Sequence, residues 1–116
     1  MNLTIDEALQ QGVAAHKEGK LQDAERLYRA ILQAQPKHPD ANHNLGVLAV
    51  AVGKHPDAIP LFKLALEANP EIEQFWVSYA DALIKADRLD EAREVLASGE
   101  QSGVCLLYTS DAADEV

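Results

Sequence analysis

Leu21, Ala24, Leu27, Tyr28 and Ile31 follow one another at three- and four-residue steps, which lays a single apolar stripe along a helix from about Leu21 to Ala34. Before it, Thr4 followed three residues later by Glu7 is a capping-box pattern, predicting a first helix that runs to about Glu18 and stops at Gly19. After a loop of Gln35, Pro36, Lys37, His38 and Pro39, Asp40 is placed to cap a third helix, with Leu45, Leu48, Ala49 and Val52 on its inner face and Gly53 closing it. A fourth helix opens with His55 and Pro56 and turns Ile59, Phe62, Ala65 and Leu66 inward; Pro60 should bend its first turns. Asn69 and Pro70 introduce a fifth helix bearing Phe75, Trp76, Tyr79, Ala80, Leu83 and Ile84. A sixth, from about Asp90 to Ser98, buries Leu89, Ala92, Val95 and Leu96, and Gly99, Ser102 and Gly103 then signal a loop.

The pattern repeats. Gly12 and Gly46, Gly19 and Gly53, and Pro36 and Pro70 are each 34 residues apart, Ala24 answers Ala58, Tyr28 answers Phe62, and one further step reaches Ala80, Ala92 and Leu96. A period of ~34 residues built from two helices resembles the tetratricopeptide repeat, in which each helix pair covers the apolar face of the next. Leu45, Gly46, Ala58, Phe62, Ala65 and Pro70 fit that family's pattern, with Ala49 small where a bulky residue is usual. The first unit fits at Gly12, Ala24, Tyr28 and Pro36 and departs at Gln11 and Ile31. The third fits at Trp76, Tyr79, Ala80, Leu83, Ala92 and Leu96 and departs at Gly99 and Val104. The expected fold is all-α, a right-handed superhelical array of three antiparallel helix pairs covering residues 5–38, 39–72 and 73–103. Gly46 and Ala80 are expected where helices cross too closely for larger side chains.

Charge and composition narrow the function. A net charge of −9 on 116 residues argues against nucleic acid and anionic membranes, since phosphate binding draws on clustered Lys and Arg, and favours a protein or peptide partner that is basic or partly apolar. No apolar run approaches the length of a membrane span and the amino terminus lacks a signal pattern, so the cytoplasm is the expected compartment. Cys105 is a single cysteine with no ligand-spaced neighbour. His38, His43 and His55 with Asp40 and Asp57 are badly spaced for a metal ion. Ser78 and Asp81 lack a fixed histidine partner, and no glycine-rich phosphate loop is present. The expectation is therefore a scaffold without catalytic residues, metal or cofactor. Asp87, Asp90, Glu91 and Glu94, with Arg88 and Arg93 among them, read as a solvated outer face.

The resemblance implies that the first helix of each pair lines a groove for an extended peptide or a partner helix. The positions it places there are Asp6, Leu9, Gln10, Val13, His16 and Lys17; His43, Asn44, Val47, Val50 and Ala51; and Gln74, Val77, Ser78, Asp81, Ile84 and Lys85. Asn44 stands where O-linked N-acetylglucosamine transferase repeats carry an asparagine ladder, while Gln10 and Ser78 take the equivalent places. The cationic grip of the chaperone-tail type is missing, because Leu9, Val13, Gln74 and Ser78 stand at its positions. Ala24–Arg29 and His38–Ala41 look like the amino-terminal repeats of large bacterial proteins, in which a glycosyltransferase, sulfotransferase or methyltransferase domain often follows.

The string CLLYTSDAADE from Cys105 resembles the translation of a sequencing adapter. The segment 104–116 is therefore expected to be non-native and the chain to be the amino-terminal fragment of a longer protein. Without a helix covering the last repeat, Leu89, Val95 and Leu96 should be partly exposed, and the chain should self-associate or cover that face with Val104–Tyr108.

Overall fold

The computed structural model describes residues 3–101. The expected loop at Ser102 and Gly103, the adapter-like string and the covering role of Val104–Tyr108 lie outside them. Six helices follow in order: α1 (Ile5–Lys17), α2 (Leu21–Ala34), α3 (Pro39–Ala51), α4 (His55–Ala68), α5 (Glu73–Lys85) and α6 (Leu89–Gln101). No strand occurs among the described residues. Consecutive helices pack on one another, and α1 also touches α3 as α3 touches α5, so the first helices of the pairs form an inner row. The result is an all-α repeat solenoid.

Local chemistry accounts for several helix ends. The Thr4 side chain accepts a hydrogen bond from the Glu7 amide at 3.1 Å while Glu7 Oε1 accepts one from the Thr4 amide at 3.0 Å, the reciprocal box read from the sequence. The second cap differs from expectation. Pro39 occupies the first helical turn, which moves the cap to the residue before it, and His38 Nδ1 accepts from the Ala41 amide at 3.1 Å; Asp40 belongs to that first turn instead. At the other ends, Gly19 (φ 80°) and Gly53 (φ 81°) turn the chain out of α1 and α3. The amides of Gly19 and Lys20 reach back to the His16 and Ala15 carbonyls, and those of Gly53 and Lys54 to Val50 and Ala49.

Aromatic residues on α2 and α4 fill the units. Tyr28 and Phe62 are buried. A methyl group on Gly12 would lie 2.6 Å from Tyr28 Cε1 and one on Gly46 2.6 Å from Phe62 Cε1, so glycine is what lets each ring slide under the preceding helix. The loops between units share a second device: Asn42, 1% exposed, donates through Nδ2 to the Pro36 and His38 carbonyls at 3.1 and 3.0 Å. One period later Trp76 Nε1 donates to the Pro70 carbonyl at 2.8 Å.

Three expectations are corrected. Val52 is 53% exposed rather than inward-facing, because it caps the end of α3. Gly99 does not end the last helix: it lies buried within α6, at the register of the buried Ala65. Leu89, at the first position of α6, is 48% exposed rather than buried on the inner stripe; with Val95 and Leu96 half-buried, the partial exposure also expected of these three residues is what the structure shows. Asp87, Asp90, Glu91 and Glu94 are exposed, with Arg88 paired to Glu91 at 2.6 Å.

Candidate functional site

The expected groove positions fall on α1, α3 and α5, the inner row, and form two groups. The first lies where α1 meets α3. Val13, His16 and Lys17 of α1 and Asn44 and Val47 of α3 surround a hollow of about 450 Å³, with Tyr28 of α2 contributing to its lining. Tyr28 is absent from the sequence-based set, since its register marks it as core; only the geometry shows its hydroxyl at this place. That hydroxyl is buried with no hydrogen-bond partner. Burial raises the phenol above its usual range, and the nearby Asn44 amide, outside hydrogen-bonding geometry, offsets part of the rise.

The second group joins α3 to α5. His43 Nε2 lies 2.8 Å from Ser78 Oγ, Gln74 Nε2 donates to the same oxygen at 3.1 Å, and His43 Nδ1 faces Asn44 Oδ1 at 3.4 Å. The tautomer that satisfies all three carries its proton on Nδ1, so that Ser78 donates to Nε2 and Asn44 accepts from Nδ1. The His43 ring also packs against Phe62 and Phe75, with centroids 5.4 and 4.8 Å apart. Burial among these rings holds the imidazole below its ordinary pKa, against the upward pull of Asn44 and Asp40. Ser78 thus has the fixed histidine partner that the sequence reading denied it. A spacing of 35 residues hides that contact from any local pattern.

The remaining positions act separately. Leu9 packs on the first core cluster, Val50 and Ile84 on the second and Val77 on the third. Asp81 pairs with Lys85 at 3.0 Å. Asp6, Gln10 and Ala51 are exposed. Among the described residues no three His, Cys, Asp or Glu side chains converge on a point that would hold a metal ion, and no helix is long and apolar enough to cross a membrane.

The sequence pattern of the tetratricopeptide repeat matches residues 9–71, and a second pattern of the same description matches residues 49–103. The chain belongs to the tetratricopeptide repeat family. Solved structures agree: a MamA mutant superimposes with a TM-score of 0.74 at 29% identity, covering 84% of this chain and 56% of its own. Another MamA structure gives 0.78 at 18% identity over 84% of this chain and 54% of that one. The first repeat domain of Spaghetti (RPAP3), bound to the HSP90 peptide SRMEEVD, gives 0.74 at 20% identity over 84% and 79%. The chain spans just over half the length of these MamA chains. No curated protein matches it.

Proposed function

We propose that the face formed by α1, α3 and α5 is a groove that binds an extended peptide or a partner helix, making the chain a protein-interaction scaffold rather than an enzyme. The observation that carries this reading is the hollow between α1 and α3, where two valines stand beside the Asn44 amide and an unpartnered buried hydroxyl. Apolar walls with a few converging polar groups suit peptide capture. The family relationship supports it, and the Spaghetti domain holds a peptide. The ligand here differs in chemistry, since Leu9, Val13, Gln74 and Ser78 replace the cations of the chaperone-tail grip.

Selection of a displayed library of linear peptides against the folded chain tests the reading. Val47→Glu should abolish binding of the selected peptides, whereas Arg26→Glu on exposed α2 should leave it unchanged. Binding insensitive to Val47→Glu would refute it. The same groove would serve as the substrate-recruiting arm of a larger bacterial transferase, a reading that rests on the resemblance of the first repeats.

A second reading, end-to-end self-association, is favoured by the 48% exposure of Leu89. Sedimentation over a concentration series, with Leu89→Glu as control, decides it. Concentration-dependent oligomers lost in the variant would support self-association.

A further inference from the structure

Tyr28 and Phe62 occupy the same register of successive repeats, yet only Tyr28 carries a hydroxyl. Phenylalanine would fill the core equally well, as it does at 62. The phenol oxygen nevertheless sits buried without a partner beside a solvent-open hollow. Leaving a buried hydroxyl unpaired is unfavourable, and here a ligand would relieve it. The groups around the hollow are donors: the hydroxyl itself, the Asn44 Nδ2 amide that lies near it but outside hydrogen-bonding geometry while Oδ1 faces His43, and at the rim the Lys17 ammonium and the His16 ring. Val13 and Val47 flank them with methyl groups.

The second junction cannot repeat this chemistry. Phe62 brings no hydroxyl there, and Ser78, the counterpart of Asn44, is already held by His43 and Gln74. One polar anchor point is therefore built into the array.

We propose that this hollow is an anchor subsite for one glutamate or glutamine side chain of a peptide lying along the α1–α3–α5 face, its carbonyl oxygen accepting from Tyr28 Oη and Asn44 Nδ2 while its methylenes rest on Val13 and Val47. The inference rests on the groove reading. It names the side chain that sets the peptide's register, and an otherwise neutral or basic peptide suits a chain of net charge −9.

The test uses peptides selected from a displayed library of linear heptapeptides against the full chain, then synthesised and titrated. A glutamate or glutamine should recur at one position. Tyr28→Phe should weaken binding roughly tenfold, the effect of about one hydrogen bond. Alanine at the recurring peptide position should do the same, with no further loss when both changes are combined. Lys17→Met, tested with both versions of the peptide, separates the two side chains: it weakens the glutamate peptide selectively if the carboxylate is the occupant. Tyr28→Phe should melt no lower than the parent, and a large loss of stability would mean that the hydroxyl is satisfied within the fold, overturning the proposal. Peptides that lose binding to Val47→Glu but not to Tyr28→Phe would overturn the anchor and leave the groove standing. Peptides indifferent to Val47→Glu would remove both.

Discussion

Asp87 adopts φ 63° at the place where its counterparts one and two periods earlier, Gly53 and Gly19, have φ 81° and 80°. The hydrogen bonds are the same as in those repeats, Asp87 and Arg88 amides reaching the Ile84 and Leu83 carbonyls. Only the side chain is out of place. Asp87→Gly should therefore relieve about 1 kcal/mol of left-handed strain, less the greater freedom glycine has when unfolded. A net gain of roughly 0.5 kcal/mol, read as a rise of a few degrees in Tm by circular dichroism, is expected. His43 supplies a prediction of the opposite kind. Its folded pKa lies below the ordinary 6.5, chiefly through burial, so between 6.5 and that lowered value the unfolded chain binds more protons than the folded one. Stability must then fall as pH drops through this window. Urea titrations from pH 7.5 to 5 should show that loss in the parent, and His43→Gln should flatten it. Not all of this was visible in the sequence. Thr4 and Glu7 announce their cap because both residue types belong to a known local motif, whereas His38 caps with an imidazole and the His43–Ser78 contact spans a full repeat.

At the scale of the helices, three-and-four spacing together with cap, proline and glycine signals was enough to locate all six; α2 shows the clearest single stripe, while α3 is apolar nearly all round from Leu45 onward and is placed by its flanking loop and Gly53. These signals failed where glycine had two meanings. Gly19 and Gly53 end helices through positive φ, while Gly99 sits inside α6 as a small buried residue. The pairing of small residues with aromatics gives the sharpest test. Gly46→Ala would set a methyl 2.6 Å from Phe62 Cε1, and overpacking of this kind costs about 1–3 kcal/mol, outweighing the better helix propensity of alanine. The third repeat already shows the remedy, since Ala80 there is matched with Leu96 instead of an aromatic. Adding Phe62→Leu to Gly46→Ala should thus recover part of the lost stability, as measured by denaturant midpoints. Phe62→Leu alone should destabilise.

Across the whole molecule the two junctions are unequally filled. Ile59, 6% exposed, packs with Ala82 and Leu83 between the second and third repeats. Its counterpart in the first repeat is Glu25, which turns to Arg29 at 2.8 Å and leaves an outer hollow of about 490 Å³ lined by Leu21, Leu45, Leu48 and Leu61. The ion pair is half exposed and contributes at most ~0.5 kcal/mol, whereas burying a branched aliphatic chain is worth about 1.5–3 kcal/mol. Glu25→Ile should stabilise the chain by about 1 kcal/mol in thermal or urea unfolding, without altering the α1–α3–α5 face. The fold was legible because a period survives substitution at any one position. The proposed binding face reads in the sequence only as a set of positions, since which of them touch depends on where the helices cross.

The stacking of each pair on its sequence neighbours also governs how the chain comes apart. Among the described residues the middle pair, α3 and α4, leans on a partner at either side, while α1 and α6 each meet neighbours on one side only. In such a ladder the outer rungs open separately and often, and the centre yields only when both flanks have gone. Amide exchange should accordingly be slowest around Leu45, Ala58 and Phe62 and quicken toward both ends. His43 and Asn44, on the slow-opening rung, would hold their places while α1 swings away and returns, so a ligand gripping α1 and α3 together would be gated by the fraying of a single helix.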